Sequence, residues 1–520
     1  MYLTFILFVA AFLRTYRLTY LPIFGDEAIY IRWAQVMRAD PGNRFVPLSD
    51  GKQPLFMWSV IPFLKVISNP LVAGRVVSVL TGLGTMIGII VLFNILFNNF
   101  SEGKGKNKRI FFASLVSGLI FAFSPYSVFF DRIALVDSML SFFGVWTVIF
   151  SILTIKFKRL DFSMIAGFFL GGALLTKSPA IFFSILIPLS WIFAEWPKKL
   201  EQILVHLIKL TLLFTPIYLI GYGMYNILRL GSNFHMIGLR NKDYLFPYSH
   251  ILENPLDPLL PFMDRALEWV WILGPSIIVL MFVGALVFNR LKYIKQYILL
   301  MLFIFVPLII SAEFAKVFTA RYVYFIFPYF TVVAGSIFLN KRYKKFNLFL
   351  LLLFAIHALW INRLLLTNIE DAPLPTSERS GYLEEWTSGT GISEVADYIR
   401  NEYKNKPDEK IVVGTEGYFG TLPDGLQIYL NDIKEITVIG VGIDIKELPN
   451  SLAESKEAGN KTYLLINNSR LKADPDELGL KLIAAYSKAL RTTGTHEHSL
   501  YGPQEVLYLF EVSDSSDNSN

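Results

Sequence analysis

Long apolar segments separated by short polar breaks run from the amino terminus to about residue 366. Most are roughly 18 to 22 residues long, which is the length that an α-helix needs to cross a hydrocarbon core of about 30 Å. The pattern therefore predicts about eleven transmembrane helices. The predicted spans are residues 3–21, 76–98, 110–130, 136–155, 161–176, 179–196, 203–227, 267–289, 297–312, 322–340 and 347–366.

The remainder of the chain has the pattern of a small soluble domain. Residues 391–404 place apolar side chains at helical spacing, which predicts one amphipathic helix. Short apolar runs bounded by Gly, Asn, Asp and Pro predict strands at residues 411–413, 436–439, 463–466 and 506–510. The predicted fold class is a polytopic α-helical membrane protein with a C-terminal exoplasmic α/β domain. The predicted domains are a membrane module over 1–368, with an outer amphipathic loop at 22–75, and a soluble domain over 369–520 that frays from Ser513 onward.

Composition agrees with this fold class and excludes several others. Of the 520 residues, 53% are apolar and 17% are charged, and the mean hydropathy is +0.47. These values exclude soluble α/β, collagen-like and disordered chains. Residues 1–369 carry 34 basic and 16 acidic groups, whereas residues 370–520 carry 14 basic and 26 acidic groups. A basic membrane body therefore precedes an acidic tail, and no segment resembles a nucleic-acid-binding module.

Positive charges concentrate in alternate polar breaks between the predicted spans. The five basic breaks contain Lys104, Lys106, Lys108 and Arg109; Lys156, Lys158 and Arg159; Lys198 and Lys199; Arg290, Lys292 and Lys295; and Lys341, Arg342, Lys344 and Lys345. The positive-inside rule makes these breaks cytoplasmic. We therefore expect an integral protein of a prokaryotic plasma membrane with a cytoplasmic amino terminus. The segments 22–75 and 228–266 and the acidic tail are then expected outside.

Arg14 and Arg17 are an exception, because they lie at the outer end of the first predicted span. They are three residues apart and would share one face of a helix. Two interpretations follow. Either the side chains extend to the phosphates of the outer leaflet, or they help to hold a lipid phosphate at the active site.

Two acidic segments are predicted on the outer face. Asp26 and Glu27 begin an amphipathic helix that runs to about Met37, a position that the helix dipole alone also favours for carboxylates. Asp131 and Asp137 lie in the short turn between the third and fourth spans. Asp137 leads directly into an apolar helix, and an acid there is hard to explain by packing.

Several cations are predicted on the same side of the membrane. They are Lys52, Arg75, Lys177, Arg240, Lys316 and Arg321, the last beside Tyr322. Each alone fits an ordinary interface residue. Together with the acids they suit a substrate that has a lipid phosphate and a hydroxyl acceptor.

In order and spacing, these residues resemble the GT-C glycosyltransferases of the protein O-mannosyltransferase and lipid A aminoarabinose transferase superfamily (glycosyltransferase family 39-like). The segments that carry the resemblance are Arg17–Tyr30 (Arg-x-x-x-Leu-Pro-x-x-x-Asp-Glu-x-x-Tyr), Asp50–Phe56 (Asp-Gly-Lys-Gln-Pro-Leu-Phe), Arg75, Arg132–Asp137 and Thr176–Ser178. The match covers about the first 200 residues well and the other spans loosely. It departs from the family at Gln53-Pro54, where many members have Pro-Pro, and in the tail, which differs from the carbohydrate-binding insert of eukaryotic mannosyltransferases.

The resemblance implies a membrane transferase that moves a sugar from a dolichyl- or undecaprenyl-phosphate donor to an acceptor hydroxyl on the non-cytoplasmic face, usually with inversion. It places Asp26 at the catalytic acid, Glu27 as its usual neighbour, Asp137 at the acid of the second outer loop and Lys52 at the donor phosphate. An inverting transfer needs a base at the acceptor hydroxyl and cations at the leaving phosphate. Asp26 is the expected base. Further donor-phosphate candidates are Arg75, Arg321 and Arg17, and candidates for substrate binding are Tyr30, Lys177, His235, Arg240 and Tyr322.

This chemistry requires no nucleotide or other cofactor, and the sequence has no Walker or Rossmann glycine motif. The sequence leaves open whether the protein binds a divalent metal, although the spacing of His235, His250 and Glu253 matches no metal-site pattern. The expected partners are the polyprenyl-phosphate sugar donor, the lipid bilayer, and a protein, glycolipid or polymer acceptor. No nucleic-acid partner is expected.

Three other classes of protein share some of these features. A lipid-linked-sugar transporter or flippase is also polytopic, although the chain has no inverted repeat of the kind that transporters show. Another membrane glycosyl-transfer enzyme, such as an oligosaccharyltransferase or a polymer ligase, would share the architecture. A membrane-anchored binding protein would use only its tail, and a single span would suffice to anchor it.

Overall fold

A computed structural model describes residues 2–98, 104–289 and 292–513. Arg290 and the predicted frayed end after Ser513 lie outside the described residues. The α-helices are α1 (Tyr2–Thr15), α2 (Gly25–Ala39), α3 (Leu55–Val60), α4 (Pro70–Phe97), α5 (Lys104–Phe123), α6 (Pro125–Phe130), α7 (Val136–Phe157), α8 (Leu160–Thr176), α9 (Ile181–Leu186), α10 (Leu200–Tyr225), α11 (Met236–Tyr244), α12 (His250–Glu253), α13 (Leu259–Leu273), α14 (Ile277–Asn289), α15 (Ile294–Phe314), α16 (Phe327–Gly335), α17 (Lys344–Thr367), α18 (Thr376–Arg379), α19 (Ile392–Asn405), α20 (Asp424–Leu430), α21 (Asn450–Glu457) and α22 (His496–Tyr501).

Five strands form one mixed sheet in the carboxyl-terminal part. They are β1 (Ile411–Glu416), β2 (Ile436–Gly442), β3 (Lys461–Asn467), β4 (Leu480–Leu490) and β5 (Gln504–Val512), in the order β2-β1-β3-β5-β4. β1 is parallel to β2 and β3, and β5 is antiparallel to β3 and β4. The sheet and α19 confirm the α/β elements that the sequence predicts for this part of the chain. β4 is an additional strand that the sequence pattern did not predict.

Among the described residues, six helical segments are long and apolar enough to cross a membrane. The α13–α14 pair, which bends by 105°, adds a seventh if its two helices form one span. The six are Pro70–Phe97, Val136–Phe157, Leu200–Leu230, Ile294–Phe314, Ala320–Leu339 and Lys344–Thr367. Four shorter apolar helical segments add to these: Tyr2–Thr15, Leu55–Lys65, Leu160–Thr176 and Ser178–Phe193. The chain is a polytopic helical membrane protein, and the predicted count of eleven spans is not confirmed.

Burial separates central from peripheral spans. In the most apolar window of Ala320–Leu339, 83% of the residues are buried inside the protein, against 17% for Leu200–Leu230. Large apolar side chains such as Leu212 and Leu219 are exposed on that outer helix. A helix that is apolar all round and faces outward is stable in lipid rather than in water. The central segment Ala320–Leu339 is the one that carries Arg321, Tyr322 and Tyr324.

The first helix is shorter than the apolar pattern predicts. It ends at Thr15, and Arg17 follows it with a φ of 46°, in the left-handed region. Arg14 and Arg17 therefore do not share a helical face, because only Arg14 is inside the helix. The exposed Arg17 and the buried Arg14 have different surroundings, which are described below.

The chain divides into two compact units. The first comprises Met1–Arg17, Asp40–Ser59 and Arg75–Pro375, and the second comprises Leu18–Ala39, Val60–Gly74 and Thr376–Asn520. The predicted boundary at 368 and 369 differs from this division, since α2 belongs to the second unit. The reason is local packing, because α2 lies against α20 and an added Cβ on Gly425 would be 3.7 Å from Ala28 Cβ.

Candidate active site

In the second unit, Asp26 and Glu27 occupy the first turn of α2 and have different surroundings. Asp26 is half-buried, whereas Glu27 is fully buried and its Oε2 accepts the backbone N–H of Phe24 at 3.0 Å. A Glu in the third helical position that reaches back to the residue before the helix is one half of a capping box. The structure thus gives Glu27 a capping role and leaves Asp26 as the acid that this contact does not use.

The backbone just before Asp26 pairs with a distant segment of the same unit. The Gly25 N–H donates to Thr387 O at 3.1 Å, and the Gly389 N–H donates to Ile23 O at 2.7 Å. These two bonds form an isolated antiparallel bridge at Phe24. Farther along α2, Tyr30 is buried and its ring stacks on Trp33 at 6.1 Å between centroids. The predicted substrate residue Tyr30 therefore lies in the packed face of α2.

In the first unit, Asp137 and Lys177 form an ion pair. Lys177 Nζ lies 2.7 Å from Asp137 Oδ1, and the side chains are 21% and 3% exposed. Asp137 stands in the first turn of α7, where the helix dipole favours a negative charge. Lys177 directly follows α8, so its side chain is presented by a helix end. The buried Asp137 Oδ2 has no hydrogen-bond partner among the described residues.

Tyr322 joins two predicted cations to this pair. Lys177 Nζ lies 4.6 Å from the centre of the Tyr322 ring, and the Arg321 guanidinium carbon lies 5.3 Å from the same centre. A ring between two cations attracts both through its quadrupole. The structure therefore brings together Asp137, Lys177, Tyr322 and Arg321, which we call the Asp137 cluster. The sequence had proposed all four residues as members of one outer site, but not the specific contacts between them.

A second group of predicted residues centres on Asp50. Arg240 Nε donates to Asp50 Oδ1 at 2.8 Å, Arg240 Nη2 contacts the same oxygen, and Lys52 Nζ lies 3.8 Å from Asp50 Oδ2. The Asp50 carboxylate raises the pKa of Arg240. Gly51, with a φ of 67°, allows this approach, because a Cβ there would be 2.8 Å from Arg240 Cβ. Arg240 therefore anchors the Lys52 turn to α11.

The Lys52 turn is also tied to the Lys177 turn. Gln53 Nε2 donates to Ser178 Oγ at 2.9 Å, one residue away from each lysine. The Gln-Pro sequence that departs from the family pattern thus supplies a specific contact in this chain. His235 is exposed and immediately precedes α11, the short helix that carries Arg240.

Arg14 and Asp131 form a buried ion pair in the first unit. Arg14 Nε lies 2.9 Å from Asp131 Oδ2, and both side chains are fully buried. Asp131 Oδ1 accepts hydrogen bonds from Ser138 Oγ at 2.5 Å and Tyr324 Oη at 2.9 Å. Gly82 is required beside it, because a Cβ there would lie 2.2 Å from the Asp131 carboxyl carbon. Arg14 is thus a partner of Asp131, and neither interpretation offered from the sequence describes its observed contact.

The remaining arginines of the first unit have distinct positions. Arg132 donates to three carbonyl oxygens at the end of the first helix, of which Arg17 O is one at 3.0 Å. Leu13 O lies in the last turn of α1, whose carbonyls have no partner within the helix, and the other two carbonyls directly follow the helix. Burial, with Arg75 and Arg14 nearby, lowers the pKa of Arg132 to about 9. Arg75 is fully buried near Arg132, whereas Arg17 is exposed.

Sequence reasoning missed the buried ionic network of the second unit. Lys488, Arg491, Glu385 and Glu505 are nearly inaccessible, and Arg491 bonds both carboxylates. These residues match no motif, and their charged character predicts exposure, so no local signal identifies them. Within the described parts of the chain, no group of three His, Cys, Asp or Glu side chains is arranged to hold a metal ion.

Comparisons with known proteins identify the architecture. No protein-family model matches the sequence, and no curated protein matches it. Apo ArnT from Cupriavidus metallidurans, a lipid A aminoarabinose transferase, matches with a TM-score of 0.56 and 12% identity, covering 98% of this chain and 97% of ArnT. ArnT bound to undecaprenyl phosphate matches with a TM-score of 0.54, also at 12% identity, over 99% and 98% of the two chains.

The chain has the fold of ArnT. The resemblance proposed from the sequence is thus confirmed at the level of the fold, over nearly the whole chain. The archaeal oligosaccharyltransferase AglB from Archaeoglobus fulgidus also matches, with a TM-score of 0.47 and 12% identity over 90% of this chain and 69% of AglB, a similarity too weak to establish a shared fold. At 12% identity the match to ArnT establishes the fold of this chain and not its reaction.

Proposed function

We propose that this GT-C protein is a membrane glycosyltransferase that takes a sugar from a polyprenyl-phosphate donor and transfers it to an acceptor hydroxyl. The observation that carries the proposal is the full-length match in fold to ArnT, which has been crystallised with undecaprenyl phosphate. The cation clusters of the first unit support it, because a lipid phosphate needs such partners. The proposed orientation has the amino terminus in the cytoplasm and the reaction on the outer face.

Asp26 is the proposed base. Its carboxylate takes the proton of the acceptor hydroxyl while the acceptor oxygen bonds to the anomeric carbon. The bond from that carbon to the phosphate oxygen breaks, and its electron pair leaves with polyprenyl phosphate, so the configuration inverts. The half-buried position of Asp26 supports this role, as does the capping contact that engages Glu27.

Asp137 is proposed to orient the substrate rather than to accept the proton. Lys177 engages its Oδ1, which leaves the buried Oδ2 as an acceptor for a sugar or acceptor hydroxyl. A buried carboxylate oxygen without a partner is costly unless a ligand supplies one. Tyr322 is proposed to line the same place through its contact with Lys177.

Lys52, Arg75 and Arg321 are proposed to stabilise the phosphate charge that grows as the donor bond breaks. Arg321 adds a cation to the Asp137 cluster, and Lys52 is held in a turn that Arg240 anchors through Asp50. Arg17 stays a proposed donor-phosphate residue, and His235 and Tyr30 stay proposed substrate residues. Arg240 is proposed to act by anchoring the Lys52 turn. We propose that no cofactor is required.

The experiment that tests this proposal compares wild type with Asp26→Asn as purified full-length proteins in detergent. A panel of radiolabelled polyprenyl-phosphate sugars is supplied, and released polyprenyl phosphate is measured. Loss of a general base predicts a fall in rate on the order of 10³-fold. Asp408→Asn, an exposed acid in the same unit, is the matched control and should keep the wild-type rate. Equal rates in wild type and Asp26→Asn would remove Asp26 from the reaction.

A further inference from the structure

The second unit contains a short segment that pairs with the backbone in front of Asp26. This segment is residues 385–389, which we call the bridge segment. It contributes Thr387 O to the Gly25 N–H and its Gly389 N–H to Ile23 O, at 3.1 and 2.7 Å. Asp26 is the next residue after Gly25, so the bridge segment fixes the chain at the point where the proposed base begins.

The approach of the two backbones is as close as glycine permits. A Cβ added to Gly389 would lie 2.3 Å from Ile23 Cγ2 and 2.7 Å from Ile23 O, and a Cβ on Gly25 would lie 2.8 Å from Thr421 Oγ1. Ordinary van der Waals contact begins at 3.4 Å. A backbone oxygen cannot rotate out of the way, so any side chain at Gly389 would displace the Ile23 backbone.

Two buried cations, Lys488 on β4 and Arg491 directly after β4, contact the other side of the bridge segment. Lys488 Nζ donates to Glu385 O at 3.1 Å and to Ser388 O at 2.8 Å, and it is 2% exposed. Arg491 donates two hydrogen bonds to the Glu385 carboxylate, from Nε at 2.7 Å and from Nη2 at 3.2 Å. Its other N–H groups bond Glu505 and the carbonyls of Tyr501 and Gly502.

The burial of these cations calls for an explanation beyond packing. Taking an ammonium or guanidinium out of water is expensive, and apolar side chains fill a domain interior at lower cost. Here Lys488 donates to two backbone carbonyls of the bridge segment, and Arg491 supplies two N–H donors and a counter-charge to the Glu385 carboxylate. The network therefore fixes one particular backbone course for residues 385–389.

We propose that Lys488 and Arg491 are positioning residues for Asp26, acting through the bridge segment and the Ile23–Gly25 backbone. This inference rests on the proposed function, because it takes Asp26 as the base. It gives the carboxyl-terminal sheet a part in catalysis, because β4 carries Lys488, Arg491 directly follows β4, and α2 carries the acid within the same unit. The sheet is then needed for turnover even where the donor is fully bound.

The test uses full-length protein with Gly389→Ala and Lys488→Met. A shift of Ile23 by several tenths of an ångström predicts a fall in kcat between about 10- and 100-fold for Gly389→Ala, because a misplacement of about 1 Å can cost about 100-fold. Lys488→Met should lower kcat by about 10-fold or more. The Kd for polyprenyl phosphate should be unchanged in both, which a merely unstable protein would not show.

Matched controls exist on the same elements. Gly381→Ala would place a Cβ 3.9 Å from Phe24 and no nearer to any other group, and Lys481→Met removes an exposed lysine from β4. Both should keep the wild-type kcat. If Lys488→Met fails to fold, Thr421→Val is the milder variant, because it removes only the Thr421 hydroxyl bond to Thr387 O at 3.3 Å.

A second readout does not depend on activity. Hydrogen exchange of a peptide spanning residues 20–30 should quicken at the Gly25 amide in Gly389→Ala and Lys488→Met and stay slow in the controls. Unchanged exchange, or quickened exchange with wild-type kcat, would overturn the positioning role. A wild type that turns over no polyprenyl-phosphate sugar would instead overturn the proposed function, while the exchange data would still decide whether β4 holds α2.

Discussion

Removing the charge of Arg14 should destabilise the membrane unit far more than it affects catalysis. Both members of the Arg14–Asp131 pair are fully buried and 2.9 Å apart. Breaking such a pair by removing one partner costs about 3–5 kcal/mol, because an uncompensated charge stays inside the protein. Arg14→Met leaves Asp131 with the Ser138 and Tyr324 hydroxyls as its donors. These two bonds keep the loss near the lower end of that range.

A double-mutant cycle separates the pair from its surroundings. Asp131→Asn retains an oxygen for the two hydroxyl donors but leaves Arg14 without its counter-charge. The loss of unfolding free energy in the double variant Arg14→Met/Asp131→Asn should therefore be smaller than the sum of the two single losses by about 1–3 kcal/mol. The apparent melting temperature of each single variant, from tryptophan fluorescence in detergent, should fall on the order of 5–10 °C.

The matched control is the exposed Arg159–Asp161 pair, whose side chains are 61% and 49% exposed. Arg159→Met should melt like the wild type, since exposed pairs contribute little. The reasoning is refuted if Arg14→Met melts like the wild type but no longer binds polyprenyl phosphate. That result would make Arg14 a phosphate ligand and Asp131 a secondary contact.

Three further predictions concern single residues. Glu27→Gln should keep the wild-type turnover, because Gln also accepts the Phe24 N–H in a capping box, whereas Glu27→Ala should lower the free energy of unfolding by about 1 kcal/mol. A Glu27→Gln variant that is as stable as wild type but inactive would show a catalytic role instead. Lys177→Met should reduce donor turnover on the order of 100-fold, because it leaves Asp137 without its cation, and Lys177→Arg should keep more of the turnover than Lys177→Met. Wild-type turnover in Lys177→Met would show that the Asp137 cluster takes no part in the reaction. Burial lowers the pKa of Lys488 to about 8, below the value of about 10.4 that lysine has in unfolded chains. Between these two pH values the unfolded state binds one more proton than the folded state, so the stability of the second unit should rise with pH. Calorimetry should show this rise in wild type and not in Lys488→Met, and a flat wild-type profile would contradict the effect of burial.

The sequence predicts the helices and most of the sheet because those elements have strong local patterns. Four strands have the apolar runs that mark a buried position, and the structure contains all four. The sequence pattern did not predict β4, because β4 is an edge strand with irregular pairing between Leu482 and Ala484 and between Ser487 and Leu490. Each irregularity shifts the alternation of inward and outward residues, so no period of two is visible over its length.

The identities of the candidate site residues were predicted more readily than their pairing. Asp137, Lys177, Arg321 and Tyr322 are recognisable as charged or interfacial residues next to apolar spans, yet their association depends on tertiary packing between distant helices. The Arg14–Asp131 contact joins positions 117 residues apart, and no spacing rule reaches that far. Local sequence patterns therefore identify candidate site residues, whereas tertiary packing determines which contacts each of these residues makes.

The central claim is that this protein breaks the bond between a sugar and a polyprenyl phosphate. The most direct test reconstitutes purified protein into vesicles that contain a radiolabelled polyprenyl-phosphate sugar and analyses the chemical state of the donor with time. The account predicts free polyprenyl phosphate in wild-type vesicles and intact donor in Asp26→Asn vesicles, with no dependence on added nucleotide sugar. Intact donor that changes leaflet without being cleaved would contradict the account and identify the protein as a transporter of lipid-linked sugar.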